Sequence, residues 1–73
     1  MNFKTELDYK KVHGGYVVFI KGREAHADFS NERGCLKLIR LLRYGRIPSE
    51  PYFRNAAIRL LTEEEFEALE VER

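Results

Sequence analysis

The chain has 73 residues, of which 34% are charged and 44% are hydrophobic, and its formal net charge is +1. This length predicts a single domain over residues 1–73, and the plentiful apolar residues argue against an intrinsically disordered chain. A domain this small buries only about 60% of the surface that its unfolded chain exposes, so we do not expect a deep, enclosed active site.

Cysteine usage and the amino-terminal residues favour a cytoplasmic protein. Cys35 is the single cysteine, which excludes an intramolecular disulfide, and the start MNFKTELDYK lacks the apolar segment of a secretory signal. No apolar run approaches the roughly 18 residues of a membrane span. We therefore expect a monomeric cytoplasmic protein that contacts no membrane.

The charges are distributed unevenly along the chain. Residues 31–59 contain seven Lys or Arg and two Glu, whereas residues 60–73 contain six Glu and one Arg. A basic middle followed by an acidic end implies a polyanionic partner, internal charge pairing, or two contact surfaces of opposite sign.

The first 30 residues predict a small antiparallel sheet. Apolar and polar residues alternate over residues 3–9, which predicts a half-buried strand. The β-branched and aromatic run Tyr16–Lys21 predicts the clearest strand, and Ala25–Phe29 predicts a weaker third strand. Turns are predicted at Lys10–Gly15, where two glycines supply positive φ, and at Gly22–Glu24.

A first helix is predicted from Glu32 to Tyr44. Ser30 or Asn31 can cap its start, and Gly45 follows its end. Apolar side chains recur on one face at spacings of three and four residues, namely Cys35, Leu38, Ile39 and Leu42. We expect this face to be buried and its thiol to be inert.

The remaining chain predicts a connector and two further helices. Two prolines disfavour a helix over Arg46–Pro51. Residues 52–61 fit either a helix or a strand, and the spacing of their apolar residues favours a helix. Thr62 and Glu65 form a capping box for a last helix from Glu63 to about Val71.

The order of these elements predicts the fold class. Strands come first and helices follow, which favours an α+β fold over an alternating α/β fold. We expect a small antiparallel sheet of two or three N-terminal strands, packed by two or three C-terminal helices.

The outer face of the first helix is strongly basic. At about 100° per residue, one stripe collects Arg33, Lys37, Arg40 and Tyr44, with Arg43 beside it. Such a stripe could contact nucleic-acid phosphates or an acidic protein. Alternatively, it is the solvated side of an amphipathic helix, partly neutralised by the C-terminal glutamates. The two prolines of the connector do not fit a helix-turn-helix spacing.

The N-terminal strand carries a ladder of charged residues. If it lies at a sheet edge, its unpaired backbone groups could accept a strand from a partner. Equally, its lysines could protect the edge from such pairing.

His26 and Asp28 are two residues apart and would share one face of a strand. Together with His13 they could form a metal or acid–base site. The chain has no Cys-x-x-Cys and no His-x₃-His spacing, which favours ordinary surface histidines. We therefore expect a protein without catalytic residues, metal or cofactor.

Three stretches of the chain resemble small transcription regulators of lytic phages, such as those that infect Xanthomonas. The stretches are MNFKTELDYKKVHGGYVVFIKG, RGCLKLIRLLRYGRIP and LLTEEEFEALEVER, and the resemblance extends over all 73 residues. It implies a protein that binds host RNA polymerase near the N-terminal part of its largest subunit. Such a protein would inhibit promoter-dependent initiation and would let elongating polymerase read through terminators.

Two other hypotheses come from the residues alone. One is a DNA- or RNA-binding module that uses the basic helix, and the other is a small ribonuclease that uses His26 with arginine side chains. The residues expected to contact a partner lie on the first strand and the first helix: Lys4, Glu6, Asp8, Lys10, Lys11, Arg33, Lys37, Arg40, Arg43 and Tyr44.

Overall fold

A computed structural model describes residues 6–72 and shows the predicted α+β fold. A three-stranded antiparallel sheet, whose strands lie side by side in chain order, is packed by helices, and two short strands of the C-terminal half form a separate parallel pair. In chain order the elements are β1 (Leu7–Val12), β2 (Gly15–Ile20), β3 (His26–Phe29), α1 (Glu32–Arg43), β4 (Arg46–Pro48), α2 (Pro51–Leu60), α3 (Glu63–Glu67) and β5 (Glu70–Glu72).

The first hairpin is tighter than the sequence predicted. β1 pairs with β2 from Leu7 opposite Ile20 to Val12 opposite Gly15. The turn predicted over residues 10–15 is wrong at both ends, because only residues 13 and 14 lie between the strands. Gly14 and Gly15 both have positive φ, of 85° and 159°, as the pair of glycines predicted, and residues 10–12 continue the strand. Residues 3–5 of the predicted strand lie outside the described residues.

The core forms between one face of the sheet and the apolar face of α1, as predicted. Asn31 caps α1 by accepting a hydrogen bond from the Gly34 N–H at 2.8 Å, and Gly45 follows the helix with φ of 71°. The four predicted core residues of α1 are buried: Cys35, Leu38, Ile39 and Leu42. Burial raises the pKa of the Cys35 thiol.

Gly34 brings the first turn of α1 close to β3. A Cβ at this position would lie only 2.9 Å from Cδ2 of the buried Phe29 ring. The small residue in the first turn therefore lets the helix pack directly on β3, at the usual cost in helix propensity.

The ambiguous segment is a helix, as the apolar spacing favoured. Pro51 occupies the first turn of α2, where a missing N–H costs nothing. α2 packs against β3, and the Tyr52 hydroxyl donates to the Asp28 carbonyl oxygen at 3.3 Å. The apolar side of the helix buries Phe53, Ala56, Ala57 and Leu60.

The C-terminal residues differ from the prediction. The Thr62–Glu65 capping box is present, but α3 ends at Glu67 instead of about Val71. Residues 70–72 pair with residues 46–48 instead of continuing the helix, so a contact distant in sequence decides where α3 ends. The chain then forms β5, which pairs in parallel with β4 and places Val71 opposite the buried Ile47. Part of the predicted connector is therefore a strand.

One bidentate ion pair ties α3 to the turn between β2 and β3. Arg23 donates from both terminal nitrogens to the two carboxylate oxygens of Glu65, at 2.7 and 2.8 Å. The Arg23 guanidinium, together with the Thr62 cap, lowers the pKa of Glu65 from 4.5 to about 2. Glu65 thus serves both the capping box and the contact with the sheet.

Candidate partner-binding surface

The basic stripe predicted on α1 lies on the solvent side of the helix. Arg33, Arg40 and Arg43 are exposed and form no ion pair within residues 6–72. Lys37 is different, because its Nζ lies 3.1 Å from Glu50 Oε1 and 5.0 Å from the centre of the Phe53 ring. The unpaired charge of this face is therefore carried by three arginines.

Two exposed apolar side chains accompany these arginines. Leu36 is 48% exposed, and Tyr44, at the C-cap, is 74% exposed. We name this surface the α1 face and define it by Arg33, Leu36, Arg40, Arg43 and Tyr44. Leu36 was not predicted to belong to this surface, although its position four residues before Arg40 places it outside the apolar stripe of α1.

The C-terminal glutamates do not neutralise the α1 face. Within residues 6–72, the ion pair of this helix is made by Glu50, which precedes α2. Glu65 pairs with Arg23, and Glu70 lies opposite Arg46 in the parallel ladder. These two C-terminal glutamates therefore lie beside basic residues that are not part of the α1 face.

β1 lies at an edge of the three-stranded sheet, which is the position from which it could accept a strand from a partner. Glu6, Lys10 and Lys11 are exposed, and Asp8 is half-buried. Lys4 lies outside the described residues. The Asp8 carboxylate accepts a hydrogen bond from the Tyr9 backbone N–H at 2.8 Å, so a side chain already occupies one backbone donor of this strand.

A hydrogen bond connects the β1 edge to the α1 face. The Tyr9 hydroxyl donates to Glu32 Oε2 at 2.9 Å, and this bond raises the pKa of Tyr9. Glu32 is one helical turn before Leu36. The structure therefore brings the two predicted contact regions, the first strand and the basic helix, next to each other.

The histidine hypothesis gains no site from the structure. His26 Nε2 and Asp28 Oδ1 share a strand face at 4.0 Å, but their side chains are 59% and 69% exposed. His13 lies in the turn between β1 and β2, at the Phe29 end of β3, whereas His26 starts β3 opposite Phe19. No group of three potential metal ligands occurs among the described residues.

Comparison of the chain with protein-family models, with curated proteins and with solved structures finds no match. Among residues 6–72, no helix has both the length and the apolar character needed to cross a membrane.

Proposed function

We propose that this protein is a phage-encoded regulator that binds bacterial RNA polymerase in the host cytoplasm, where it inhibits promoter-dependent initiation and promotes antitermination. The identity of the partner comes from the resemblance of the chain to small lytic-phage regulators. The α1 face supports the docking step, and the proposal assigns the protein a binding role without catalysis.

One observation carries the docking step: exposed Leu36 and Tyr44 lie among three arginines that have no ion pair within residues 6–72. Protein interfaces are enriched in aromatic residues and arginine, and apolar side chains at their centres gain from burial. An exposed leucine gains nothing from a partner that offers only phosphates, because its apolar surface is not buried there. The combination therefore favours an acidic protein surface as the partner of the α1 face.

The test compares two double charge reversals that change the net charge equally. Arg40→Glu with Arg43→Glu alters the α1 face, and Arg54→Glu with Arg59→Glu alters exposed positions of α2. Binding to purified bacterial RNA polymerase is measured by biolayer interferometry, together with promoter-dependent transcription and terminator read-through. We expect the first pair to weaken binding at least about tenfold and to abolish both effects on transcription.

The α2 pair should bind like the unmodified protein. Equal losses in both variants would indicate a non-specific charge effect and would contradict the docking step. An unmodified protein that does not bind polymerase would refute the proposed function itself.

Nucleic-acid binding is the second candidate, and the same three unpaired arginines favour it. It predicts binding to duplex DNA or RNA with a steep salt dependence, since log K falls by about 0.9 per log unit of salt for each phosphate contacted. Fluorescence anisotropy with a labelled duplex at several salt concentrations measures this slope. Duplex binding that Arg40→Glu with Arg43→Glu abolishes, without any binding to polymerase, would establish this alternative.

A further inference from the structure

The three-stranded sheet has two edges, and within residues 6–72 the chain covers one of them. β3 has four residues, packs against α2, and has the Asp28 carbonyl bonded by the Tyr52 hydroxyl. β1 has six residues, pairs with β2 on one side, and has no strand on its other side among the described residues. An edge of this length can accept an extended peptide.

The register identifies the backbone groups at the open edge. Lys21 N–H donates to the Glu6 carbonyl oxygen at 2.8 Å, so Glu6 faces β2. In an antiparallel pair successive residues alternate between facing the partner and facing away, so Leu7, Tyr9 and Lys11 point their backbone groups outward. The Tyr9 N–H agrees with this assignment, because it bonds to the Asp8 side chain and not to β2.

We propose that this edge accepts an extended, acidic peptide segment of the partner protein as a fourth strand. The inference rests on the proposed function and identifies how part of the partner is bound. The outward N–H and C=O groups of Leu7 and Lys11 bond to the peptide backbone. The N–H and C=O groups of Tyr9 also bond to the peptide once the Asp8 carboxylate releases the Tyr9 N–H.

Charge selects an acidic segment. Lys10 and Lys11 are exposed on β1, and within residues 6–72 neither forms an ion pair. The α1 face adjoins the edge through the Tyr9–Glu32 hydrogen bond and adds its unpaired arginines. Glu6 and Asp8 make the start of β1 acidic, so the carboxylates of an added strand would lie beside Lys10 and Lys11 and near the arginines of the helix.

The same charges disfavour a second copy of this chain at the edge. If β1 paired with β1 of another copy, the α1 faces of both copies would lie beside the same interface. Each face would bring the same arginines. Like charges brought together across an interface are costly. Lysines on an edge strand thus prevent self-pairing while they leave an acidic strand acceptable.

The test removes a single outward donor. A 73-residue chain is short enough for chemical synthesis, so the Lys11 amide can be N-methylated without changing any side chain. The matched control carries N-methylation at Glu24, an exposed residue in the turn before β3. Circular dichroism verifies that both proteins fold, and binding to purified bacterial RNA polymerase is then measured.

We expect N-methylation at Lys11 to weaken binding at least about tenfold and the Glu24 control to bind like the unmodified protein. In the complex, the amides of Leu7, Tyr9 and Lys11 should become protected from hydrogen exchange. A photo-crosslinker in place of the Lys11 side chain should capture a polymerase peptide rich in Asp and Glu.

Three results would overturn the inference. The first is unchanged binding after N-methylation at Lys11, which leaves the proposed function intact because polymerase is still bound. The second is a crosslinked peptide that is basic. The third is a dimer of the free protein that the Lys11 N-methyl group abolishes, which would assign the edge to a second copy. If the unmodified protein does not bind polymerase, the proposed function fails and this inference fails with it.

Discussion

The Arg23–Glu65 ion pair provides a measurable link between α3 and the sheet. α3 has five residues and none of them is fully buried, so the segment depends on a few contacts. Replacing Glu65 with Gln removes the negative charge but keeps a side chain that a capping box accepts at this position. The substitution therefore isolates the interaction with Arg23 from the cap of the helix.

The pKa of Glu65 sets the size of the effect. It falls from 4.5 to about 2 on folding, and this difference corresponds to at most about 3 kcal/mol. The Arg23 side chain is 35% exposed and that of Glu65 is 18% exposed, so solvent screening reduces the contribution to about 1–2 kcal/mol. Because folding lowers this pKa, the stabilisation is complete above pH 4.5 and is lost as the pH falls toward 2.

Urea unfolding followed by far-ultraviolet circular dichroism tests this prediction. At pH 7 we expect Glu65→Gln to lower the free energy of unfolding by about 1–2 kcal/mol. The difference from the unmodified protein should shrink as the pH falls below 4.5 and should be smallest near pH 2. Glu64→Gln is the matched control, because Glu64 is an exposed neighbour in the same first turn of α3.

The control should change the free energy of unfolding by less than about 0.5 kcal/mol. The reasoning is refuted if Glu65→Gln costs no more than Glu64→Gln at pH 7. It is equally refuted if the difference persists undiminished in acid.

Other substitutions test the packing of the core. Gly34→Ala should lower the free energy of unfolding by roughly 1–3 kcal/mol, because the new Cβ meets the Phe29 ring. Gly15→Ala should cost a similar amount, on the order of 1–3 kcal/mol, since its Cβ would collide with the Phe29 carbonyl oxygen. Leu42→Ala should cost about 2–5 kcal/mol and leave much of the protein unfolded. Urea titrations check all three, and an unfolding midpoint at or above that of the unmodified protein would contradict the respective prediction. The Cys35 thiol should react with a disulfide reagent only after unfolding, and rapid labelling of the native protein would show that it is accessible.

Local signals in the sequence predicted most of the fold. The apolar spacing on α1 identified its buried face, and Asn31 and Gly45 marked its ends. The Thr62–Glu65 capping box marked the start of α3 correctly. Each of these features depends on residues within one or two helical turns of each other, so a single sequence contains the necessary information.

Apart from the bounds of the first turn, the errors lie where distant residues decide the structure. β4 has three residues, including Pro48, and exists as a strand because β5 pairs with it from more than twenty positions away. The Arg23–Glu65 pair likewise joins residues 42 positions apart. Neither the length of a short strand nor the partner of an exposed arginine is indicated by nearby residues.

The contact surface could be predicted only in part, for a related reason. The basic stripe follows from helical geometry, but its neutralisation depends on where the carboxylates of the folded chain lie. Glu50 bonds to Lys37, one member of the stripe, whereas Glu65 bonds to Arg23 and Glu32 to the Tyr9 hydroxyl. A chain with a net charge of only +1 therefore keeps a face with three arginines that no carboxylate neutralises within residues 6–72. Because this charge is local, we expect it to act on a bound partner at short range and not to attract anions over the whole surface.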